Sequence, residues 1–333
     1  MNAEPTTSQH DDPRAPARLA WARSVSGGPV DVLVRASMDA GFRSYWRGVD
    51  EGILMDSPPG LEDVRPWLRI RDLLEAGGVR VPGVLARDVE AGFLLLEDLG
   101  PHTCLQVVDR EGIDATMHAA IGQLLKLQAV ACPPDLPGYD RPLLVRDLRL
   151  FDEWFLGRHL DARLDAGERE ALDNAGELLI EVALAQPQVL VHRDFMLRNL
   201  MPASEGPAVI DFQGAVRGPI AYDMASLCRD AFASWPEDDV ARWRADYHAR
   251  ATTMGLPVPD AARFERDFDL AGVHRHLKIL GIFARLRHRD GKPHYLDDAP
   301  RFLGYLDAVL PRYPELAPLQ AIVDRHVRSA LAG

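Results

Sequence analysis

The alternation of apolar and polar positions changes character once along the chain, near Gly100-Pro101. Before that point, from about Pro29 to Leu99, short segments rich in β-branched and aromatic residues predict strands: DVLVRAS, FRSYWRGV and GILMDS, with Asp50-Glu51-Gly52 as a turn into the third. RVPGVLARD and GFLLLEDLG predict two more, the second almost continuously apolar and so suited to a buried position. One helix interrupts them. From Glu62 to Ala76, the residues Val64, Trp67, Leu68, Ile70, Leu73 and Leu74 recur at helical spacing, and Gly77-Gly78 supplies the stop.

Beyond Gly100-Pro101 the pattern lengthens into amphipathic stretches, Ala115 to Ala131, Leu143 to Leu160 and Gly167 to Ala185, each with apolar residues three and four apart. Gln188 to Asp211 reads as short strands and tight loops, after which helices resume to the C-terminus. The expected fold class is therefore α+β: a small antiparallel-sheet lobe over 21–99 and a larger, mainly helical lobe over 100–333, with a ligand cleft between them. Residues 1–20 are polar and broken by Pro5, Pro13 and Pro16, which predicts a flexible tail rather than an export signal.

Composition narrows the functional classes. The 333 residues hold 38 Lys+Arg against 50 Asp+Glu, a net charge of −12, which argues against a surface built for nucleic acid or anionic lipid. No apolar run reaches the roughly 18 residues needed to span a bilayer. The three cysteines, Cys104, Cys132 and Cys228, lack metal-ligand spacing and are odd in number, so a reducing cytoplasm is expected and a zinc site is not. A monomer acting on small molecules fits this balance.

The chemistry concentrates in one stretch. His192-Arg193-Asp194 is followed by Asn199 five residues after the aspartate, then by Asp211-Phe212 at the end of the apolar segment AVI. Order and spacing match the protein-kinase catalytic loop H-R-D-x-x-x-x-N with a metal-binding Asp in a D-F sequence, which makes the expected fold bilobal and protein-kinase-like. Phosphoryl transfer needs a carboxylate near the acceptor hydroxyl, a task for Asp194, and hard oxygen ligands for Mg²⁺, a task for Asn199 and Asp211. Loop capping by His192 and Asp194 is the plainer alternative.

The sheet lobe departs from the protein-kinase pattern. It has no G-x-G-x-x-G, which leaves ASMDAG, Ala36 to Gly41, as the nucleotide-covering turn, with Gly41 its only flexible residue. Met55 and Asp56 stand where the strand lysine belongs, and the first lysine in the chain is Lys126. The helix Glu62 to Ala76 offers no obvious glutamate to pair with such a lysine. Any cation for nucleotide phosphates in this lobe is then an arginine, Arg43 first, Arg47 and Arg35 next, unless these only line a solvated strand face.

VLVHRDFMLRNLM and VIDFQGAVRGPIAYDMASL resemble the aminoglycoside phosphotransferase-like kinases. MDAGFRSYWR, ILMDSPP, GFLLLEDLG and VHRHLKILGIFARLRHRDGKPHYLDDAPRF narrow the resemblance to the bacterial anomeric kinases of N-acetylmuramate and N-acetylglucosamine, over nearly the whole chain beyond residue 30. The resemblance implies transfer of the γ-phosphoryl group of ATP to the anomeric hydroxyl of an N-acetylated amino sugar, in cell-wall recycling. It also implies Asp194 as base, Asn199 and Asp211 as magnesium ligands, Glu97 to Leu99 as the hinge beside adenine, and Asp223 as a structural acid. Where the family pattern carries an acid after DFQ, this chain has Gly214.

Other candidates come from position alone. Arg198, inside the loop, either approaches the phosphoryl group or sugar or pairs with a loop acid. His274 and Lys278, four apart on a helix through Val273 to Arg289, form either a polar sugar-binding face or a solvated helix end. Glu153 and Trp154 in LFDEWF either line the acceptor side or, for the tryptophan, pack in the core. Arg285, Arg287, His288 and Arg289 read as a solvated face or an anion contact. Two other functions remain open: the same chemistry on an aminoglycoside, choline-like alcohol or homoserine, and a nonenzymatic nucleotide-binding module. Cationic acceptors call for acid-rich pockets, and the His/Lys/Arg-rich helix tilts the choice toward the amino sugar.

Overall fold

The computed structural model describes residues 12–38, 42–49 and 52–329. They group into two compact units: the residues up to Asp72 with Val81–Pro101, and Leu73–Arg80 with His102 onward. The second unit thus begins at residue 102 rather than 100 and also takes in 73–80. Within that segment Val79 N donates a turn bond to Leu74 O at 3.0 Å, and Arg80 O ties it to the rest of the unit by accepting from Val209 N at 2.7 Å.

The first unit begins with helix α1 (Ala15–Val25), followed by strands β1 (Val34–Met38), β2 (Ser44–Val49) and β3 (Gly52–Asp56). Helix α2 (Arg65–Ala76) starts here and ends in the second unit; β4 (Val84–Asp88) and β5 (Phe93–Glu97) complete the sheet. The five strands are ordered β1-β2-β3-β5-β4, every neighbouring pair antiparallel. The apolar run FLLL of β5 is buried, as its continuity predicts.

Helix α1 takes up residues 15–20 of the expected tail over 1–20, of which 1–11 lie outside the described residues. Pro16 lies in its first turn, where the missing N–H costs nothing because first-turn donors have no helical partner. Arg14 and Arg18 then fasten the helix to the end of β3, donating to the two oxygens of Asp56 at 2.7 and 2.8 Å. Arg18 lies 3.7 Å over the Trp46 ring and Trp21 stacks on Phe93, so α1 closes the apolar face formed by Trp46, Leu54, Phe93 and Leu95.

The second unit is mainly helical: α3 (Cys104–Glu111), α4 (Ile113–Ala129), α5 (Arg141–Leu150) continued by a π-helical segment Phe151–His159, and α6 (Ala166–Ala185). The non-helical insertion comes next, with β6 (Gln188–Val191), β7 (Leu200–Met201), β8 (Ala208–Val209) and β9 (Val216–Pro219), paired β6 with β9 and β7 with β8. Then come α7 (Tyr222–Cys228), α8 (Glu237–Thr253), α9 (Ala261–Asp290), α10 (Ala299–Val309) and α11 (Ala317–Ile322).

Helix α9 is the axis of this unit. Its residues from Asp267 to Gly281 are buried on every face, which explains why its sequence lacks a clean amphipathic stripe. Asp260 caps its start by accepting from Arg263 N, and Gly291 ends it in the left-handed conformation. Arg287, His288 and Arg289 fall in its last turn, exposed, where positive charge complements the helix dipole. Where α9 crosses the end of α5, Gly281 is required. A Cβ there would stand 2.2 Å from Leu150 C and 2.5 Å from Phe151 N.

Candidate active site

The apolar strand β6 delivers His192, and two buried contacts fix the backbone that leaves it. Asp223, in the first turn of α7, accepts the N–H of His192 at 2.6 Å and of Arg193 at 3.0 Å. Burial pushes the Asp223 carboxyl up to about 6, and its two backbone donors identify it as the structural acid the resemblance implied. Arg193 is left-handed, with φ of 76°, and the next residue, Asp194, is exposed. Phe195, Met196 and Leu197 return to the core, and a 3-10 turn, Leu197–Asn199, brings the chain round.

Three polar residues converge through this turn. Asn199 Nδ2 donates to the backbone oxygen of Asp194 at 2.8 Å. Asn199 O accepts from Ile210 N at 3.0 Å, and Ile210 O faces His192 Nε2 at 2.9 Å. Asp211, the next residue, is itself left-handed at φ 63° and holds Gln213 Nε2 at 2.7 Å. Two non-glycine residues in this strained region within one loop system mark a place where the surrounding contacts dictate the backbone. With Nδ2 committed, the Asn199 amide oxygen and the Asp211 carboxylate are the hard donors that this loop system offers a cation. No cluster of three or more His, Cys, Asp or Glu suited to a metal exists among the described residues, so these two donors fit an ion that draws its remaining ligands from phosphate and water.

Beneath Asp194 lies a polar cluster that the sequence reading missed. Asp147 of α5 is buried, and its Oδ2 accepts from the Tyr139 hydroxyl at 2.7 Å and from Arg193 at 3.4 Å, with Lys278 Nζ at 3.6 Å. The Tyr222 hydroxyl lies 3.3 Å from both the Tyr139 hydroxyl and Lys278 Nζ. Burial works against the charge on Asp147, but Lys278 and the Tyr139 hydroxyl outweigh it and its pKa is lowered. Around Asp194 the crowding of protein opposes charge as well; the positive field of Lys278, then Arg275, prevails and its pKa is also lowered. The signal for Asp147 was present in the sequence: it stands on the buried face of α5, three residues from Leu144 and four from Phe151, where an apolar residue is the default.

Several expected roles are relocated. His274 and Lys278 share one face of α9, but that face is interior. His274 is 2% exposed, set edge-on against Tyr139 and Tyr222, and burial lowers its pKa to about 4. Lys278, 5% exposed, is taken by Asp147 and Tyr222. A basic face on this helix therefore gives no ground for rejecting a cationic acceptor. Glu153 is exposed on the π-helical segment, and Trp154 packs against the apolar core. Arg198 is exposed with its guanidinium 4.3 Å over the Phe232 ring, and among the described residues no carboxylate lies within ion-pair distance, so the pairing with a loop acid is absent.

In the first unit, Arg43 is buried and ion-paired with Glu62 at 3.2 Å, so the first residue of the expected helix 62–76 pairs with an arginine in a unit that has no lysine. Glu62 stands ahead of the observed helix, which begins at Arg65 rather than at residue 62. Arg47 is a strap rather than a free phosphate cation: it donates to both oxygens of Asp98 and to Gly100 O at 2.8 Å. Glu97 accepts from Gly83 N at 3.1 Å, and Leu99 is half-buried in the segment after β5. Arg35 is exposed, 5.4 Å from the Trp46 ring. Gly41 lies outside the described residues.

A five-stranded antiparallel sheet unit, a mainly helical unit and a loop that brings an Asp, an Asn and a second Asp together define a protein-kinase-like phosphotransferase. Solved structures share the fold: the gentamicin complex of aminoglycoside phosphotransferase APH(2")-IIa, at 14% identity and TM-score 0.61 over 88% of this chain and 96% of that one, and a choline/ethanolamine kinase family protein from Mesorhizobium loti, at 17% and 0.60 over 93% and 98%. The chain belongs to the phosphotransferase enzyme family, whose profile matches residues 32–265, and it is a kinase-class enzyme. Its relatives include the N-acetylmuramate/N-acetylglucosamine kinases of Pseudomonas putida (46% identical over 299 residues, 89% of this chain and 88% of that one) and Neisseria meningitidis serogroup B (44% over 300 residues, 87% and 89%). No described helix is long and apolar enough to cross a membrane.

Proposed function

We propose that the chain is an ATP-dependent kinase that phosphorylates the anomeric hydroxyl of N-acetylmuramate, N-acetylglucosamine or both, yielding the sugar 1-phosphate and ADP in the recycling of cell-wall sugars. The carrying observation is the convergence of Asp194, Asn199 and Asp211 on one loop system, in a chain whose relatives at 44–46% identity bear the name of that activity.

Asp194 takes the proton of the anomeric hydroxyl as that oxygen bonds to the γ-phosphorus and the bridging bond to ADP breaks. Its lowered pKa keeps it ionised at neutral pH, ready to accept. Asn199 and Asp211 hold Mg²⁺, which when bound neutralises charge on the nucleotide phosphates. Most of the rate then comes from positioning and fixed charge, since this transition state asks little covalent work of protein. Arg198, carried on Phe232 with its in-plane donors unspent by carboxylate, suits an anionic group of the phosphoryl donor or acceptor. Glu97 and Leu99 suit the adenine side. Among the sheet arginines Arg35 replaces Arg43 and Arg47 as the phosphate candidate, because carboxylates engage the other two.

Incubation with ATP, Mg²⁺ and a panel of reducing sugars and amino alcohols, read by phosphorus NMR, tests the proposal. An anomeric phosphate is expected; a signal only from C6, from C4 or from a non-sugar acceptor removes it. Asp194→Asn is expected to lower turnover by about 10²-fold or more while nucleotide affinity persists.

A further inference from the structure

Asp147 comes from α5, 47 positions before the catalytic-loop aspartate, yet one of its oxygens gathers three donors from three other parts of the second unit: Tyr139 from the segment before α5, Arg193 from the catalytic loop and Lys278 from α9. The charges acting here are two carboxylates, Asp147 and Asp194, and the cations Arg193 and Lys278, with Arg275 also acting on Asp194 and the exposed Arg146 lying 3.8 Å from the other Asp147 oxygen. Asp194 is exposed, whereas Asp147 is 2% exposed and Lys278 5%. Arg193 is covalently next to Asp194, and Lys278 is the foremost cation acting on it. A buried cation deprived of its partner takes the nearest alternative, because an uncompensated charge in the interior is costly. The other carboxylate whose charge acts on both cations is Asp194.

We propose that Asp147 is a positioning residue for phosphoryl transfer: by taking Arg193 and Lys278 as its own partners, it keeps both cations from closing directly onto Asp194, whose oxygens stay open to the acceptor hydroxyl. The inference rests on the proposed function, in which Asp194 is the base. Tyr139 completes the device. Its hydroxyl is the shortest of the three donors, at 2.7 Å, and fixes the rotation of the Asp147 carboxyl; its ring also lies under the Arg193 guanidinium, at 5.1 Å. The left-handed backbone of Arg193 is then held from both ends, by Asp223 on the amide and by Asp147 on the side chain.

The experiment compares full-length wild type with Asp147→Asn, Asp147→Asn/Lys278→Met and Tyr139→Phe in steady-state phosphorylation of N-acetylglucosamine and N-acetylmuramate, with a thermal melt on each. Asp147→Asn keeps the shape and an acceptor for Tyr139 but releases the cations. It is expected to lower kcat by about 10²-fold with the KM for ATP within about threefold of wild type. The distinguishing readout is rescue: removing the released ammonium in the double variant should restore at least about tenfold of that loss, an outcome general loosening of the fold would not produce. Tyr139→Phe, which deletes a single oxygen, should fold and lose about three- to tenfold in kcat. The inference is overturned if Asp147→Asn turns over like wild type, or if the double variant is as slow as the single. Should Asp147→Asn not fold, a folded Tyr139→Phe with wild-type kcat overturns it alone. A wild-type protein inert toward every sugar in the panel refutes the proposed function instead, which separates the two failures.

Discussion

Gly281→Ala adds one methyl group at the crossing of α9 over the end of α5, and the added carbon would lie 2.2 Å from Leu150 C, 2.4 Å from Leu150 O and 2.5 Å from Phe151 N. All three are backbone atoms, so no side chain can swing away. Ordinary carbon contact begins near 3.5 Å, which requires the two helices to part by about 1 Å. Overpacking of that kind costs up to about 3 kcal/mol. Alanine is the better helix former by about 1 kcal/mol, which leaves a net loss of about 2 kcal/mol. For a unit of this size the melting temperature should fall by about 4–8 °C. The same displacement reaches the active site, because Gly281 is one turn from Lys278 and Leu150 one turn from Asp147, the pair 3.6 Å apart. A shift near 1 Å in a catalytic arrangement can cost about 10²-fold in rate. Calorimetry and the sugar phosphorylation assay read the two effects separately. A variant that melts within about 1 °C of wild type at full kcat would refute the steric reasoning, and one that melts early at full kcat would cut the link from the crossing to the site.

Asp56→Ala removes one of the two carboxylates paired with buried Arg18, Asp12 being the other, and is expected to destabilise the first unit by about 2 kcal/mol, seen as an earlier transition in urea; Arg14→Ala, at the more exposed half of the clamp, should cost less. His274 is neutral in the fold with a pKa of about 4, against 6.5 when unfolded, so the unfolded chain binds the extra proton between those values. Its contribution to stability is therefore complete above pH 6.5 and declines as the pH falls toward 4, by at most about 1.4 kcal/mol per unit. His274→Gln removes that slope. Denaturant melts from pH 7 to 4.5 should show the stability of wild type approaching that of the variant, and parallel curves would discard the assignment.

The catalytic loop was legible because its chemistry is local. His192, Arg193, Asp194 and Asn199 sit within eight residues, and one β-pair later comes Asp211, so spacing along the chain nearly equals spacing in the fold. The sheet unit was legible for a similar reason, since hairpin strands neighbour in sequence and alternate visibly. Three things were not. Helix α1 was hidden by prolines that signal breaks in general but are harmless in a first turn. The roles of His274 and Lys278 depend on α9 being enclosed on all sides, which comes from the packing of α5, α6, α7 and α10 around it and not from its own residues. Asp147 needed partners 8, 46 and 131 positions away, and no window of sequence reports such a meeting. Arg43 and Arg47 were chosen for their charge, but pairing with Glu62 and Asp98 engages that charge within the unit.

The scarcity of ammonium groups has a consequence of its own. The chain's lysines are Lys126, Lys278 and Lys292, and the sheet unit has none. Guanidinium groups keep their protons far into alkali, whereas an ammonium surrenders its own there. Tyr45 is the one tyrosine of the sheet unit's sequence and all three cysteines lie beyond it, so titrating the enzyme upward falls chiefly on side chains of the helical unit, Lys278 among them.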